Sequence, residues 1–404
     1  MKQLGLSCIG GTVLFSLIIM NSDKRSYYNL SACLHMGSLI LMCLLCLFGI
    51  FQVKVLGKVL DQEDSETTSA ADSFLAAAFP LHYQILECNG IVCKLLGERE
   101  VNNVFRMKND FLTLKFEELP EEILGEEAAA MIKVQDAMRE RGIPFVYVAP
   151  ASRVDAETDG PLGFLSGENS NDRRFLSMLK EGGVNVLDLE EELLADGLSR
   201  YDQYYSTDHH WNEEGALYCA EKLSEWLGDA TGASMEPSLL NKESYSVKTI
   251  PNVMIGSYAK RTGYCFAGGR EDFDVLLPAF ATNYKELITG KQGSMEELFY
   301  VLEGADRISY QVTTYETVFG KDTARGYVNE EAPNDLSVLF LEDSYGYPLE
   351  PFLLTQVKAL HIGSSYSPES ITPELLEELH PEAVVLLKYG PFHLGHEEYF
   401  QTAF

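Results

Sequence analysis

The alternation of strand-like and helix-like patterns from residue 125 onward constrains the fold of this chain more than any other feature. Short apolar runs rich in β-branched residues, as at 145–149 and 383–387, are separated by stretches with helical periodicity, as at 126–141. Strands that are apolar along their whole length are typical of a parallel sheet covered by helices on both faces. The pattern therefore predicts an α/β fold, a doubly wound parallel sheet, with a less regular insertion at about 229–333. Further strands are predicted at 184–189, 336–341 and 357–362, and further helices at 171–182, 212–227, 346–354 and 372–379.

The amino-terminal end has a different composition from the rest of the chain. Apolar stretches occupy 4–20 and 32–53, and no charged residue occurs from position 26 to position 52. Because about 20 apolar residues can cross a bilayer as a helix, we predict an N-terminal membrane anchor at 1–53 with one or two spans. A cleaved signal peptide fits less well, because no small-x-small site closes the second stretch. A start at Met20 would leave a single anchor.

Beyond the anchor the chain is polar and acidic. Residues 54–79 are rich in acidic and small side chains and are predicted to form a stalk, followed by a folded domain at 80–404. The whole chain contains 31 Lys and Arg against 61 Asp and Glu, a formal net charge of -30, which disfavours nucleic acid as a partner. Basic residues lie on both sides of the second apolar stretch, so charge alone does not fix its orientation.

The segment Thr207-Asp-His-His-Trp211 offers acid–base chemistry at the entrance of a predicted helix. An Asp two residues before a His can hold the imidazole through Nδ1 and leave Nε2 free to take a proton. Asp208 and His210 fit this arrangement, while His209 would point the other way and Trp211 would pack beneath the turn. The same residues also suit a capped loop or a metal site, but no third ligand at a suitable spacing accompanies them. No metal and no cofactor are therefore predicted. Four other histidines could serve as metal ligands by residue type, but no spacing supports them: His361, His380, His393 and His396.

The second candidate segment is Glu342-Asp-Ser-Tyr-Gly346, which directly follows the predicted strand at 336–341. A sharp strand-to-helix turn would expose the Ser344 hydroxyl and aim the N–H groups of a helix N-terminus at a developing oxyanion. An Asp-Ser pair at a strand end is also a common helix cap. Its occurrence with the Asp208 and His210 turn on one predicted sheet edge favours a nucleophile.

These motifs resemble those of the DHHW family, a relative of the alginate O-acetyltransferase-like proteins in the SGNH hydrolase superfamily. The resemblance includes the four-residue signature that ends at Trp211, the serine block Asp343-Ser-Tyr345, and an amino-terminal segment at 97–105 and 108–112. It covers roughly residues 80 to 400 in pattern, and it implies an SGNH hydrolase-like fold.

The resemblance also implies roles for three residues: Ser344 as nucleophile, His210 as general base and Asp208 as the residue that orients the base. Two features depart from the family pattern. Glu342 stands where the related proteins usually have glycine, and the Asn block that completes the oxyanion hole in many SGNH enzymes has no convincing match. The sequence therefore identifies the backbone N–H of Ser344 as a hydrogen-bond donor to the oxyanion.

Weaker candidates surround the two motifs. Three other serines are alternative nucleophiles that rank below Ser344: Ser257, Ser364 and Ser365. The accessory candidates are His209, Trp211, Asp343, Ser257, Lys260 and Arg261. Of these, the basic residues Lys260 and Arg261 could donate hydrogen bonds to an anion.

The sequence thus predicts a membrane-anchored serine esterase or O-acyl transferase, with acetyl as the favoured acyl group, acting outside the cytoplasm on a bacterial cell-surface polysaccharide. Transfer would require a partner membrane protein that exports acyl groups. A non-catalytic glycan-binding or assembly protein on the same fold is the alternative, favoured by the missing Asn and by 21 Tyr and 21 Phe that could stack on sugars. A third hypothesis is a metal-dependent hydrolase that uses Asp208, His209 and His210.

Overall fold

The computed structural model describes residues 82–161, 164, 166–320, 326–366 and 371–404. The predicted membrane anchor and stalk, at 1–79, lie outside these residues. Within the described ranges, no helix is both long enough and apolar enough to cross a membrane. Tyr83–Phe404 form one compact unit.

Strands and helices alternate through the described residues. The strands are β1 (Glu100–Val101), β2 (Val104–Arg106), β3 (Leu112–Leu114), β4 (Phe145–Ala149), β5 (Val186–Asp188), β6 (Tyr245–Met254), β7 (Glu271–Pro278), β8 (Tyr284–Glu286), β9 (Gln292–Gly293), β10 (Gly326–Asn329), β11 (Ser337–Glu342), β12 (Ala359–Ser364) and β13 (Ala383–Leu387). The helices are α1 (His82–Leu96), α2 (Glu121–Glu140), α3 (Ala156–Asp159), α4 (Glu168–Glu181), α5 (Leu189–Ala195), α6 (Glu213–Thr231), α7 (Ala259–Thr262), α8 (Met295–Phe299), α9 (Thr314–Phe319), α10 (Glu350–Leu354), α11 (Pro373–Leu379) and α12 (Gly390–His393).

The central sheet has eight strands in the order β5-β4-β13-β11-β12-β10-β8-β9. The first five strands are parallel, whereas β10, β8 and β9 run antiparallel to their neighbours. The prediction of a purely parallel sheet is therefore wrong at one edge, and the sheet is mixed. The reason is that the predicted insertion adds these three strands to the sheet, while β6 and β7 form a separate antiparallel ribbon.

Both faces of the three central parallel strands, β4, β13 and β11, are buried, as their continuous apolar sequences predicted. In β11, Val338 and Phe340 pack into one core with α6 and α10, and Leu339 and Leu341 pack into a second core with α2 and α4. Burying one such side chain contributes about 1.5 to 3 kcal/mol. This burial fixes the register of the strands, because a slip by one residue would exchange the two faces.

The elements predicted around the candidate site are present, with one correction. Helix α6 starts after Asn212, whose side chain accepts a hydrogen bond from the Gly215 N–H at 3.0 Å, as the N-cap prediction required. The helix predicted at 346–354 begins only at Glu350, and the residues before it form turns. Pro348 disfavours helical backbone at the residue before it. The N-terminus of α10 therefore does not directly follow Ser344, as the predicted source of oxyanion donors required.

Candidate active site

The Asp-His-His turn runs from Tyr204 to Trp211 and is closed by a β-bridge between these two residues. The Glu271 carboxylate, at the start of β7, accepts hydrogen bonds from the N–H and hydroxyl groups of Ser206 and Thr207 at 2.7 to 3.0 Å. Hydrogen bonds to a charged acceptor are roughly twice as strong as those between neutral groups. The ribbon of β6 and β7 therefore anchors the turn.

Arg153, which follows β4, supports the same turn from the protein interior. Its side chain is buried, its Nε donates to the carbonyl oxygen of Asp208 at 2.7 Å, and its Nη2 donates to the carbonyl oxygen of Leu112. Its guanidinium carbon lies 5.0 Å from the centre of the Tyr258 ring. A buried cation needs such partners because an unpaired charge is costly to remove from water. No sequence pattern had singled out Arg153.

Ser344 lies in the turn after β11, at the carboxyl edge of the parallel strands. The Asp343 carboxylate shapes this turn, because its Oδ1 accepts from the Tyr345 N–H at 3.0 Å and its Oδ2 from the Tyr389 N–H at 2.9 Å. Trp211 Nε1 donates to the carbonyl oxygen of Tyr345 at 2.9 Å. The buried indole thus joins the serine turn to the Asp-His-His turn, across 134 positions of sequence.

Glu342, the residue that departs from the related proteins, is buried immediately before Asp343. Its side chain lies against Gly346, where an added Cβ would come within 1.8 Å of Glu342 Oε2. The absence of a side chain at Gly346 therefore makes room for the carboxyl group within the serine turn.

The two turns bring together the three residues that were predicted to act as a set. His210 Nδ1 donates to Asp208 Oδ1 at 2.7 Å, and the Ser344 hydroxyl donates to His210 Nε2 at 2.7 Å. Asp208 and His210 are buried, whereas Ser344 is partly exposed. An imidazole held between a carboxylate and a hydroxyl in this way can take the hydroxyl proton as a general base.

Burial and neighbouring groups set the charges of Asp208 and His209. Burial alone would raise the pKa of Asp208, but the histidines His209 and His210 and the hydrogen bonds from His210 hold it well below its usual range. Burial, reinforced by His210, lowers the pKa of His209 to about 3. At neutral pH, Asp208 is thus ionised and His209 neutral, so Asp208 can stabilise a protonated His210.

Tyr315, on α9 within the predicted insertion, contacts both His210 and Ser344. Its ring stacks on the imidazole with centroids 3.9 Å apart and an angle of 10° between the planes. Its hydroxyl donates to the carbonyl oxygen of Ser344 at 2.7 Å. The buried Tyr315 therefore positions the imidazole and the serine backbone together. The irregular sequence of the insertion contains no signal that predicts this contact.

Ser257, an accessory candidate, contacts the turn and not the His210 ring. Its N–H donates to Asp208 Oδ2 at 2.6 Å, and its hydroxyl lies 2.8 Å from His209 Nδ1. A Cβ on the preceding Gly256 would lie 2.2 Å from the carbonyl oxygen of Thr207, so glycine permits this close approach. Ser257 thus helps to hold the Asp208 carboxylate in place.

The remaining four candidates lie in four different environments. Arg261 lines the cleft that contains Ser344, whereas Lys260 Nζ lies 3.9 Å from a carboxylate oxygen of Glu316. Ser365 is buried, and Ser364 is exposed at the end of β12. Neither of these two serines hydrogen-bonds His210, whose Nε2 is occupied by the Ser344 hydroxyl.

A cleft of about 320 Å³ opens at Ser344. Tyr366 and Ser344 both line this cleft. Aromatic rings, with an apolar face and in most cases a polar tip, are suited to bind sugars. The aromatic residues in the cleft walls are Tyr258, Tyr345, Tyr366, Tyr389, Phe392 and Tyr399.

Asp208, His209 and His210 also place one ligand atom each within 4.8 Å of the others, close enough to share a metal ion. However, Asp208 Oδ1 and His210 Nδ1 hydrogen-bond each other, and Asp208 Oδ2 accepts from the Ser257 N–H. The histidines proposed by residue type alone contribute no atom to this group. The donor set therefore suits acid–base chemistry better than metal binding.

Comparison with known protein families relates this site to acetyltransferases. Residues 111–254, which include the Asp-His-His turn, match the family model of the SGNH hydrolase-like domain of the acetyltransferase AlgX. This match confirms the relationship that the motifs indicated. A comparison with curated proteins found no match.

Two solved structures have a similar fold. Bacillus cereus PatB1 is 18% identical, over 73% of this chain and 98% of its own, with a TM-score of 0.58. A DHHW family protein from Eubacterium siraeum is 16% identical, over 74% of this chain and 95% of its own, with a TM-score of 0.55. At such identities the likeness shows the fold alone, and the SGNH hydrolase-like character of this fold rests on the family match at 111–254.

Proposed function

We propose that this chain, which carries an SGNH hydrolase-like domain related to that of AlgX, is a serine-dependent O-acyl transferase or esterase. The observation that carries the proposal is the hydrogen-bonded series from Asp208 through His210 to Ser344, with 2.7 Å at each of its two steps. The acyl group is acetyl, and the substrate is a cell-surface polysaccharide. The acetyltransferase family match and the aromatic walls of the cleft support these choices.

The reaction proceeds in two steps. Ser344 Oγ attacks the acyl carbonyl carbon while its proton moves to His210 Nε2, and the same proton then goes to the departing oxygen of the donor. An ester on Ser344 remains. In the second step a sugar hydroxyl, or water, attacks this ester, His210 takes the attacking proton, and Ser344 Oγ leaves and recovers it. Asp208 stabilises the imidazolium in both steps, and the backbone N–H of Ser344 is the proposed oxyanion donor.

The predicted anchor places this reaction at the cell membrane. If the apolar stretches at 1–53 span the bilayer and the acidic stalk at 54–79 extends from it, the domain acts outside the cytoplasm on the glycans of the envelope. Transfer to a glycan then requires a membrane partner that exports acyl groups.

Covalent labelling tests the nucleophile directly. A second structure of Bacillus cereus PatB1, 17% identical over 75% of this chain and 99% of its own with a TM-score of 0.59, contains a sulfonyl adduct. We expect phenylmethylsulfonyl fluoride to add one sulfonyl group to Ser344 of the full chain, detected by peptide mass spectrometry. Ser344→Ala and His210→Ala should lower the hydrolysis of p-nitrophenyl acetate by about 10³- to 10⁴-fold.

The exposed Ser364 provides a matched control, because Ser364→Ala removes a nearby serine hydroxyl without touching His210. Its activity should equal that of the wild type. Full activity in Ser344→Ala, or a sulfonyl group on a different serine, would falsify the proposed role of Ser344.

The aromatic cleft also favours a second function, that of a glycan-binding or assembly protein without catalysis. It predicts that purified protein binds oligosaccharides, measured by calorimetry, while Ser344 stays unlabelled and p-nitrophenyl acetate is not hydrolysed. Labelling of Ser344 with turnover excludes this alternative.

A further inference from the structure

His393, at the end of α12, forms part of the cleft wall and takes no part in the proposed acyl transfer to Ser344. Its side chain is 1% exposed. Nδ1 donates to the carbonyl oxygen of Tyr389 at 2.9 Å and lies 3.6 Å from Asp343 Oδ2. Because Nδ1 carries the proton, Nε2 of the neutral ring is an acceptor.

The Nε2 atom of His393 is buried and has no hydrogen-bond partner among the described residues. The charged or titratable groups that affect the ring are Asp343, Lys388 and His396. Burial, together with Lys388 and His396, lowers the pKa of His393 against the raising effect of Asp343 and of the hydrogen bond to Tyr389, so the ring stays neutral. A buried acceptor without a donor costs about 1 to 3 kcal/mol. Such an atom in the wall of a catalytic cleft indicates that a ligand supplies the donor.

Tyr366 shows what kind of group fits beside this acceptor. Its ring centroid lies 5.0 Å from that of His393, and it lines the cleft together with Ser344. A six-membered ring with a hydroxyl therefore already contacts His393 in the cleft that contains Ser344. The Tyr366 side chain is 43% exposed, so it can turn aside for a ligand ring of similar size.

We propose that His393 Nε2 accepts a hydrogen bond from a hydroxyl group of the sugar that receives the acyl group, a pyranose that takes the place of the Tyr366 ring. The proposal rests on the proposed function and names its acceptor class: a sugar with at least two hydroxyls, one that attacks the Ser344 ester and one that binds His393. The attacking hydroxyl loses its proton to His210, its oxygen bonds to the acyl carbon, and the bond from that carbon to Ser344 Oγ breaks. His393 exchanges no proton and acts in binding.

Two substitutions of His393 separate binding from structure. The amide nitrogen of Asn lies near the position of Nδ1, so His393→Asn can keep the hydrogen bond to Tyr389 while losing the acceptor at Nε2. The longer Gln places an amide oxygen near Nε2, so His393→Gln can keep the acceptor while losing the bond to Tyr389.

The test uses the full chain in detergent with p-nitrophenyl acetate as acyl donor, and either methyl β-D-glucopyranoside or ethanol as acceptor. Ethanol has a single hydroxyl and cannot bind His393 while it attacks. We expect His393→Asn to raise the KM for the glucoside about five- to tenfold, the effect of one lost hydrogen bond. The p-nitrophenol burst and the acceleration by ethanol should be unchanged, and His393→Gln should stay closer to the wild type.

Other outcomes overturn the proposal. An unchanged KM for the glucoside in His393→Asn, a larger loss in His393→Gln than in His393→Asn, or a lowered burst in His393→Asn would show that the residue is structural. A wild-type enzyme accelerated by ethanol but not by the glucoside would also reject the sugar subsite. A wild-type protein without any burst refutes the proposed function itself, and so the two failures are distinguishable.

Discussion

Two Asp–His pairs flank Ser344, and they differ in how the carboxylate is used. In the first pair, His210 Nδ1 lies 2.7 Å from Asp208 Oδ1 and donates to it. In the second, His393 Nδ1 lies 3.6 Å from Asp343 Oδ2 and donates instead to a backbone carbonyl oxygen at 2.9 Å. Both histidines are buried. Only His210 presents Nε2 to the Ser344 hydroxyl.

The difference lies in which acceptor each imidazole N–H reaches. Both oxygens of Asp343 accept backbone N–H groups, from Tyr345 and Tyr389, so this residue shapes the serine turn. Asp208 also accepts backbone N–H groups with both oxygens, from His210 and Ser257, but its Oδ1 accepts the imidazole N–H as well and can therefore stabilise positive charge on His210. The two pairs thus differ in whether the ring N–H points at the carboxylate or at a backbone carbonyl oxygen.

Removing the charge of each Asp gives the largest expected contrast. Asp208→Asn should lower kcat for p-nitrophenyl acetate by about 10³- to 10⁴-fold, because the amide no longer holds the productive tautomer of His210 or stabilises its charge. Asp343→Asn keeps an oxygen acceptor and should stay within about tenfold of the wild type. Steady-state kinetics on both variants measures the contrast, and equal losses would contradict the division of roles.

Truncation of Asp343 should instead lower the stability of the fold. Asp343→Ala leaves the N–H groups of Tyr345 and Tyr389 without their acceptor, and should lower the free energy of unfolding by about 3 kcal/mol. Urea denaturation measures this loss. Asp229→Ala, at an exposed position on α6, is the matched control and should change stability by less than about 0.5 kcal/mol. An Asp343→Ala protein as stable as this control would disprove the structural role.

Glu168 supports the second pair through Tyr389, whose hydroxyl donates to Glu168 Oε1 at 3.1 Å. Burial raises the pKa of Glu168 to about 7, against an ordinary value of 4.5. Between pH 4.5 and 7 the folded protein retains a proton that the unfolded chain releases, so this group makes the free energy of unfolding fall as pH rises through that window.

Glu168→Gln does not titrate. Relative to the wild type, the variant should therefore gain about 2 kcal/mol of stability between pH 5 and pH 8. Urea midpoints at the two pH values measure the gain, with exposed Glu140→Gln as the control. A constant difference between variant and wild type would contradict the raised pKa.

The smallest expected effect concerns the ring that stacks on the first pair. Tyr315→Phe keeps the stacking on His210 but removes the hydroxyl that donates to the carbonyl oxygen of Ser344. We expect kcat/KM to fall about tenfold, as one lost hydrogen bond predicts, with the fall mainly in kcat. Tyr300→Phe is the control, since this buried tyrosine also donates to a carbonyl oxygen, that of Leu276, away from the site. If both variants lowered kcat/KM equally, the effect of Tyr315→Phe would reflect a general loss of stability and not the loss of a group that positions Ser344.

The sequence alone predicted the parts of the site that depend on short-range geometry. The strands around Ser344 were predicted to within about two residues, because continuous apolar runs can be recognised in the sequence without any tertiary information. Asp208 and His210 were paired correctly because two residues in one turn meet through local backbone geometry. The helix predicted at 346–354 starts later, at Glu350, because Pro348 disfavours helical backbone at the residue before it.

Residues from distant segments could not be predicted in the same way. Tyr315 lies in a stretch without periodicity, and the orphan acceptor of His393 exists only because of what the cleft places around the ring. The mixed sheet was also missed, because short edge strands such as β8 and β9 carry little pattern.

By itself, the sequence determined the apolar strands, the N-cap at Asn212 and the hydrogen-bonded Asp–His pair of the Asp-His-His turn, since each depends on side chains only a few positions apart. Only the tertiary structure decided that this pair meets Ser344, 134 positions away, and that the second histidine does not. The physical reason is that strand order and register set which turns share a sheet edge, and these follow from packing summed over the whole core.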